Sequence, residues 1–317
     1  MRTGRNIRDD GEILTFELLK RKRDLGSDSL RTPQSPTVTS REIALNQRLN
    51  PHTIAQEVMA AQNQNRQIEP LTRRLTGFDN TLAYEVSRII HEARISEGAL
   101  PVGRKIGFTN PDMWSLYGVR EPIWSYVYDR TVTHLSATQT KCHIGRFAEP
   151  KIEPEIVIHF RSTPPVSGDP AEILASVDWI AHGIEIVQSH YPGWKFQAAD
   201  TIADSALHAT LLVGERQDVN RLGPELISDL ERFTITLSCD GIAHEQGLGS
   251  NVLGSPLMAV THLISVIVKQ PNATPLQAGE LVTTGTLTPA LPVHAGQNWT
   301  TILDGIALPG LSVTFEG

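Results

Sequence analysis

The stretch "KIEPEIVIHF", residues 151–160, decides the fold because its composition is typical of a buried β-strand. Its apolar positions carry the β-branched and aromatic side chains that strands favour, namely Ile152, Ile156, Val157, Ile158 and Phe160. Two carboxylates interrupt the run, Glu153 and Glu155, although a buried and unpaired carboxylate is costly. Because side chains at i and i+2 lie on one face of a strand, both acids should project to the same side of the sheet.

Pro154 stands between the two acids and donates no ladder hydrogen bond, which predicts that the strand is at an edge or bulged there. A third acid, Glu185, lies in a second strand-like run, "HGIEIVQS". Three carboxylates converging on one site would repel one another unless a cation lay among them. Oxygen-only ligands select a hard ion, Mg²⁺ or Mn²⁺, over zinc. The alternative interpretation is an exposed edge strand with two solvated glutamates.

From residue 101 onward, short strand-like runs are separated by Gly, Pro and Asn. The predicted strands are "VGRKIGF", "KIEPEIVIHF", "WIAHGIEIVQS", "HATLLVG", "FTITLSCDG", "ELVTTG" and "LSVTF". Two helices interrupt them, "DPAEILASVDW" and "SPLMAVTHLISVIVKQ", the second with Ser255 as its cap. Many strands and few helices do not alternate as βαβ units would, so we expect an α+β fold with a large mixed or antiparallel β domain.

The N-terminal part of the chain has a different texture. Residues 46–100 carry apolar side chains at helical spacing, with Asn50 as a cap before Pro51, and predict two helices closed by Gly98. Residues 1–45 contain the stretch "GSDSLRTPQSPTVTS", which is typical of a flexible arm, preceded at most by a short helix. The predicted organisation is therefore an arm over 1–45, a helical segment over 46–100 and a catalytic β domain over 101–317.

The composition excludes several classes of function. A formal net charge of -7 and a pI near 5.9 argue against a nucleic-acid partner, which would need a clustered basic surface. The most apolar run, "VTHLISVIV", has the length of a core helix and not of a membrane span. The N-terminus lacks the apolar region of a secretory signal. Cys142 and Cys239 are too few for a zinc or disulfide framework, so we expect reduced thiols in a cytoplasmic protein.

Six motifs occur in the order in which one known family carries them. They are "GRKIGFT" at 103–109, "KIEPEI" at 151–156, "GIEIVQS" at 183–189 with Trp194, "DTIAD" at 200–204, "GLGSNVLGSPL" at 247–257 and "AGELVTTGTLTPALPVHAGQ" at 278–297. In these motifs the chain resembles the fumarylacetoacetate hydrolase superfamily, specifically its hydratase/decarboxylase branch. That branch includes 2-hydroxypenta-2,4-dienoate hydratases and 4-oxalocrotonate decarboxylases of aromatic catabolism. The resemblance covers about residues 50–317.

The resemblance implies a twisted β-roll or sandwich core and a homo-oligomer. It also implies a Mg²⁺ or Mn²⁺ ion held by Glu153, Glu155 and Glu185, with Lys105 at a small 2-oxo acid substrate. On this interpretation Lys105 holds the substrate carboxylate or donates a proton. The alternative for Lys105 is a solvated lysine on an edge strand.

Further site residues follow from the same resemblance. Asp200 or Asp204 would orient water, and Ser205, which stands where the branch usually has Asn, is counted with them as catalytic. The substrate-binding residues would be Thr109, Thr284 and Thr286. For Asp204 a helix or turn cap is the competing role.

The expected function is a Mg²⁺-dependent lyase, with hydration of a 2-hydroxypenta-2,4-dienoate-like acid ahead of decarboxylation of a 4-oxalocrotonate-like acid. The stretch "SHYPGWKF" is closer to the decarboxylases, whereas "GTLTPALPVHAGQ" is closer to the hydratases. Acylpyruvate hydrolases carry a lysine downstream of the third acid, where this chain has Asp200. A catalytically silent member that serves as a binding subunit is a further alternative.

Overall fold

The computed structural model describes residues 49–111, 114–117 and 119–317. These residues fall within one compact unit, Ala44–Gly317. The arm predicted over 1–45, with its short helix, lies outside the described residues.

Three helices lead into the β structure: α1 Pro51–Asn63, α2 Leu71–Arg74 and α3 Asn80–Ser96. The Asn50 side chain accepts hydrogen bonds from the first free N–H groups of α1, with Pro51 at the first helical position, as predicted. After α3, Gly98 adopts a φ of 81°, a left-handed conformation that glycine adopts without a steric penalty. The chain can therefore turn directly from α3 into the first strand.

Among the described residues, the remaining elements are fourteen strands in two sheets, with five α-helices between them. The strands of the first sheet are β1 Pro101–Gly107, β2 Ile123–Tyr128, β3 Val132–His134, β5 Lys151–Phe160, β6 Val177–Val187, β7 His208–Val213, β8 Gln217–Asp218, β11 Leu281–Thr283 and β12 Leu291–Pro292. Those of the second sheet are β4 Gln139–His143, β9 Thr234–Cys239, β10 Ile242–Leu248, β13 Asn298–Asp304 and β14 Ser312–Glu316. The helices are α4 Trp114–Tyr117, α5 Pro170–Leu174, α6 Ala198–Ala203, α7 Leu226–Arg232 and α8 Pro256–Lys269.

The first sheet is mixed and runs in the order β2-β1-β11-β5-β6-β7-β3, with β12 paired to β5 and β8 paired to β6. The second sheet runs β10-β9-β13-β14-β4. The predicted combination of helices with a mixed β domain is therefore confirmed. Pattern analysis missed the strands β2, β3, β4, β8, β10, β12 and β13 and the helices α2, α4, α6 and α7. The missed helices have four to seven residues and are too short to show a 3.6-residue period. The helix predicted over residues 169–179 ends at Leu174, and β6 begins at Val177.

The position of β5 differs from the expectation of an edge or bulge at Pro154. β5 pairs with β6 along its length, and its other side pairs with β12 at residues 151–152 and with β11 at 157–159. Pro154 lies in the gap between these two short partners, where its carbonyl accepts a hydrogen bond from the Leu287 N–H at 2.9 Å. The expectation of an edge or bulge was wrong, because a strand inside a sheet can carry a proline at a position where neither short partner strand needs its N–H.

The two faces of β5 differ in the side chains that they carry. The even-numbered residues of β5 are apolar and pack against α8 or against the second sheet, in clusters that include Ile152, Ile156, Ile158, Leu263 and Trp299. Both cysteines, Cys142 and Cys239, are buried and unpaired in the second of these clusters, as predicted. The odd-numbered face of β5 carries the acids.

Among the described residues, a stretch that ends with α8 meets the length and composition of a membrane span, contrary to the expectation that no run approaches that length. The stretch Gly249–Lys269 has 21 residues and a mean hydropathy of 1.7. Within the fold, 61% of its most apolar window is buried, and α8 packs its apolar side chains into the core beneath β5. The core of the protein accounts for the apolar character of this helix.

Candidate active site and metal centre

The register between β5 and β6 brings the three acids together. Glu153 lies directly opposite Glu185, while Glu155 lies opposite Gly183 on the same face. One carboxylate oxygen from each of Glu153, Glu155 and Glu185 lies within 4.8 Å of the others. The predicted convergence is confirmed. The alternative of two solvated glutamates on an exposed edge strand is wrong, because β5 has partners on both sides and Glu155 is 0% exposed, although Glu153 is only partly buried.

Each of the two fully buried acids has one oxygen held by hydrogen bonds, and their second oxygens differ in their contacts. Glu155 Oε2 accepts hydrogen bonds from the Thr283 hydroxyl and, at 2.8 Å, from the Gly285 N–H. Among the described residues, Glu155 Oε1 has no hydrogen-bond donor although it is buried, whereas Glu185 Oε2 lies 3.1 Å from the ammonium group of Lys105. A buried carboxylate oxygen without a donor is costly, so this arrangement fits a site for a hard cation.

Lys105 on β1 supplies the nearest positive charge. Its side chain is 4% exposed and its Nζ lies 3.1 Å from Glu185 Oε2. Burial by itself lowers the pKa of Lys105, but the charges of Glu185, Glu153 and Glu155 outweigh it and raise the pKa above its ordinary value. Lys105 is therefore a buried cation of the acid cluster, and the alternative of a solvated lysine is wrong.

The acids themselves titrate differently from one another. Burial raises the pKa of Glu153 to about 7, with Lys105 acting in the opposite direction. Burial and the neighbouring carboxylates raise the pKa of Glu155 well above its usual range. Burial also acts to raise the pKa of Glu185, but Lys105 and His208 outweigh it and lower that pKa. A divalent cation among the three acids would favour the ionised form of each.

A cavity of about 350 Å³ opens onto this cluster, and Lys105 and Glu153 line it. Its apolar wall comprises Ile106, Phe108, Ile123, Val187, Trp194, Phe196, Leu207 and Leu287. Its polar wall includes Thr109, Asn110, Lys151, Asn251, Thr286 and Thr288. A larger cavity of about 550 Å³ lies between α3, β2 and the segment after α8, but none of the three acids lines it. The smaller cavity is therefore the candidate active site.

The predicted threonines divide into two groups. Thr109 and Thr286 line the cavity. Thr284 does not line it, because its side chain is buried and its hydroxyl donates to the Ile156 carbonyl at 2.9 Å. In place of the predicted substrate contact, Thr284 fixes the segment after β11 to β5.

The structure does not bring Asp200 to the cavity. Its carboxylate accepts hydrogen bonds from the Gln197 N–H at 2.8 Å, the Thr72 N–H at 2.9 Å and the Thr72 hydroxyl at 2.6 Å. These contacts close a capping box at the start of α6 and join that helix to α2. Asp200 therefore has a structural role in place of the predicted water-orienting one.

Asp204 and Ser205 also lie behind the cavity wall. Asp204 pairs with His190 Nδ1 at 2.9 Å, and the Gln62 side-chain amide donates to Asp204 at 3.0 Å and to the Ser205 hydroxyl at 3.2 Å. Residues 205–207 all have positive φ, between 50° and 64°, which is uncommon for residues other than glycine. The network holds this strained turn, and the turn presents Ala206 and Leu207 to the cavity in place of Ser205.

Several site residues escaped the sequence analysis. Lys151 lines the cavity with its Nζ 4.0 Å from the centre of the Trp194 ring, and the two-residue alternation that linked Glu153 to Glu155 would have found it. His208 and Thr283 contact the acids from neighbouring strands. No local signal could have found these two, since the contacts depend on strand order.

No family model matches the chain. Among known proteins, a 2-keto-4-pentenoate hydratase from Burkholderia vietnamiensis is 30% identical over 257 residues, which cover 80% of this chain and 94% of that protein. The chain therefore belongs to the family of these hydratases, the hydratase/decarboxylase branch described above. Another relative in this branch, a 4-oxalocrotonate decarboxylase from a Pseudomonas species, is 31% identical over 229 residues, covering 71% of this chain and 84% of that protein.

Solved structures show the fold of this branch. The 4-oxalocrotonate decarboxylase from Pseudomonas putida G7, complexed with magnesium and adipate, matches with a TM-score of 0.75 and 24% identity over 85% of this chain and 97% of that chain. A fumarylpyruvate hydrolase from Pseudomonas aeruginosa, in complex with Mn²⁺ and pyruvate, matches with a TM-score of 0.50 and 16% identity over 68% of this chain and 90% of that chain. The predicted superfamily architecture is thus confirmed at the level of the fold.

Proposed function

We propose that this chain is a Mg²⁺- or Mn²⁺-dependent lyase of a 2-oxo or 2-hydroxydienoic acid, and that it hydrates a 2-hydroxypenta-2,4-dienoate-like substrate. The observation that carries the proposal is the cluster of three carboxylate oxygens within 4.8 Å of one another beside a buried lysine. The relatives named as hydratases and decarboxylases support the same reaction class.

Glu153, Glu155 and Glu185 would hold the metal ion. Their donor set is all oxygen, which suits Mg²⁺ or Mn²⁺, and Glu155 has a buried oxygen without a donor among the described residues. When bound, the ion would supply Lewis-acid stabilisation to the enolate of a 2-oxo acid. The cluster also explains why two acids stand in a buried strand, because the cation would offset their mutual repulsion.

Lys105 is the proposed proton donor or carboxylate anchor. Hydration of a dienol begins with ketonisation, in which the distal carbon is protonated, and continues with conjugate addition of water. In the metal-free protein the three carboxylates raise the pKa of Lys105, which favours its ammonium form, the form that can donate a proton. Its Nζ lies at the acid cluster and its side chain lines the cavity, within reach of a substrate placed there.

The cavity fits a small acid with a carbon chain. Its volume of about 350 Å³ is at the lower end of the range for small-molecule sites. Apolar side chains such as Phe196 and Leu207 would pack against the carbon chain, whereas the Thr109 and Thr286 side chains offer polar contacts for its oxygens.

Decarboxylation of a 4-oxalocrotonate-like acid is the second candidate, and one observation favours it. Among the described residues that line the cavity, Glu153 is the only carboxylate, since Asp200 and Asp204 lie elsewhere. Addition of water needs a group to orient it, whereas loss of CO₂ uses the same electron sink without water. An apolar wall also weakens the solvation of a departing carboxylate.

The two remaining alternatives have less support. Hydrolysis of acylpyruvates would need a lysine near position 200. This chain has Asp200 there, and its side chain forms the capping box of α6. A catalytically silent subunit would bind metal without turnover of any 2-oxo acid.

The test uses the purified full chain with Mg²⁺. We expect the absorbance of 2-hydroxypenta-2,4-dienoate to disappear and the 4-hydroxy-2-oxo acid to form. A parallel assay with 4-oxalocrotonate measures release of CO₂. Glu153→Gln is the matched control, because it keeps the size of the side chain and removes one charge. Failure of both reactions in a protein that binds Mg²⁺ would reject these substrates and favour the silent subunit.

We also propose a cytoplasmic homo-oligomer that serves aromatic catabolism. The edge strand β10 exposes Ile242 and Leu248, and the adjoining sheet face exposes Ile302. Exposed apolar side chains at a sheet edge favour contact with another chain. Sedimentation of wild type and Ile302→Lys would test this, since a monomeric wild type contradicts the proposal.

We also propose that residues 46–100 and residues 101–317 are two segments of the chain with different roles. The helices α1 and α3 share an apolar cluster with Val187, Phe196 and Leu207 of the cavity wall. The helical segment would therefore support the active site directly, and we expect its removal to unfold the β domain.

A further inference from the structure

Glu185 is held from the neighbouring strand by His208, the first residue of β7. His208 Nδ1 lies 2.6 Å from Glu185 Oε1, and the two side chains are 4% and 0% exposed. Two lone pairs at that distance would repel, so one proton lies between the two atoms. The contact fixes one oxygen of Glu185 on the side away from Lys105, which approaches the other oxygen, Oε2.

The imidazole ring is fixed at its far end as well. His208 Nε2 lies 2.8 Å from Thr131 Oγ1, and the Thr131 hydroxyl donates its proton to the Tyr128 carbonyl at 3.1 Å. The ring cannot rotate without breaking the hydrogen bonds at both of its nitrogens. A buried ring held at both nitrogens gives Glu185 a defined orientation.

Glu155 has the equivalent arrangement with different donors. Its Oε2 is bound by Thr283 and Gly285, and its Oε1 has no donor among the described residues. We propose that His208 is a positioning residue that leaves Glu185 only Oε2 for the metal ion, as Thr283 and Gly285 leave Glu155 only Oε1. This inference rests on the metal site of the proposed function.

The restriction of each acid to one oxygen has a consequence for the choice of ion. Mg²⁺ takes about six oxygen ligands, so a carboxylate that bound through both oxygens would occupy a place that the two oxygens of a 2-oxo acid need. Ca²⁺ takes about six to eight oxygens and accepts carboxylates through both of them. His208 would therefore favour Mg²⁺ and Mn²⁺ over Ca²⁺ and keep places for the substrate.

The experiment measures metal binding by the full chain in the absence of substrate, after removal of metal with a chelator. Mn²⁺ is titrated by electron paramagnetic resonance, with Ca²⁺ measured by competition. We expect His208→Phe to weaken Mn²⁺ binding about 10- to 100-fold, which is the usual cost of losing an outer partner of a metal ligand. Ca²⁺ binding should weaken less, so the preference for Mn²⁺ over Ca²⁺ should fall. His208→Asn, whose amide can replace Nδ1–H, should stay within about threefold of wild type.

Two further variants complete the design. Thr131→Val leaves the acids untouched and releases only the ring, so it should weaken Mn²⁺ binding by a smaller factor even if His208→Phe fails to fold. His244→Phe changes an exposed histidine on the second sheet and should have no effect. A folded His208→Phe with unchanged or tighter Mn²⁺ binding would overturn the inference, as would His208→Asn as weak as His208→Phe. A wild type that binds no Mn²⁺ would instead reject the proposed metal site itself.

Discussion

The substitution Glu153→Gln tests most directly whether the acid cluster is a metal site. It keeps the size and polarity of the side chain and removes one of the three carboxylates whose oxygens lie within 4.8 Å of one another. Two effects of opposite sign follow. Metal binding loses an anionic ligand, whereas the metal-free protein loses the repulsion between Glu153 and its neighbours to the extent that these acids are ionised.

The magnitudes separate the two effects. A carboxylate oxygen about 2.1 Å from Mg²⁺ attracts it by about 4 kcal/mol even with the dielectric constant of water, which corresponds to about 10³-fold in affinity. Two unit charges 4.8 Å apart repel by about 0.9 kcal/mol with that dielectric constant and by about 3.5 kcal/mol with an effective value of 20. Loss of the attraction to Lys105 offsets part of the relief, so the metal-free variant should be as stable as wild type or slightly more stable.

Calorimetric titration with Mg²⁺ measures the first effect, and chemical denaturation of the metal-free proteins measures the second. We expect Mg²⁺ affinity to fall by at least about three orders of magnitude, with turnover falling by orders of magnitude too. Equal Mg²⁺ affinities in wild type and variant would remove Glu153 from the metal site and leave its place in a buried strand unexplained.

Four other outcomes are expected. Lys105→Met should retain or tighten Mg²⁺ binding and cut turnover about 10²- to 10⁴-fold. It should destabilise the metal-free protein, because Glu185 loses its buried partner. Retained turnover would contradict the role given to the lysine. The pKa of Glu153, about 7 in the folded protein against an ordinary 4.5, means that the folded state binds the extra proton between these pH values. Its contribution to stability should therefore be lost as pH rises through that window while Mg²⁺ affinity increases, measured as the difference between wild type and Glu153→Gln; an equal pH dependence in both proteins would refute it. Asp200→Asn should cost about 1–3 kcal/mol in the free energy of unfolding with little change in kcat, whereas a large loss of kcat at unchanged stability would restore its predicted catalytic role. Removal of residues 1–40 should leave activity intact, because that stretch lacks periodic apolar residues, and loss of folding on truncation would contradict this.

The sequence by itself determined the features that depend on local periods. The two-residue repeat placed Glu153 and Glu155 on one face of a strand, and β5 has the predicted bounds, Lys151–Phe160. Short-range capping signals likewise predicted Asn50 before α1 and Ser255 before α8, because a cap contacts N–H groups only two or three residues away.

Only the tertiary structure decided which distant residues share the site. Glu185 faces Glu153 because of the register between β5 and β6, and His208 reaches Glu185 because β7 lies beside β6. The motif "DTIAD" gave no local sign that the Asp200 carboxylate would hydrogen-bond to α2 and to the start of α6. Strand order, register and helix docking are set by the burial of apolar surface across the whole chain, and no short stretch contains that information.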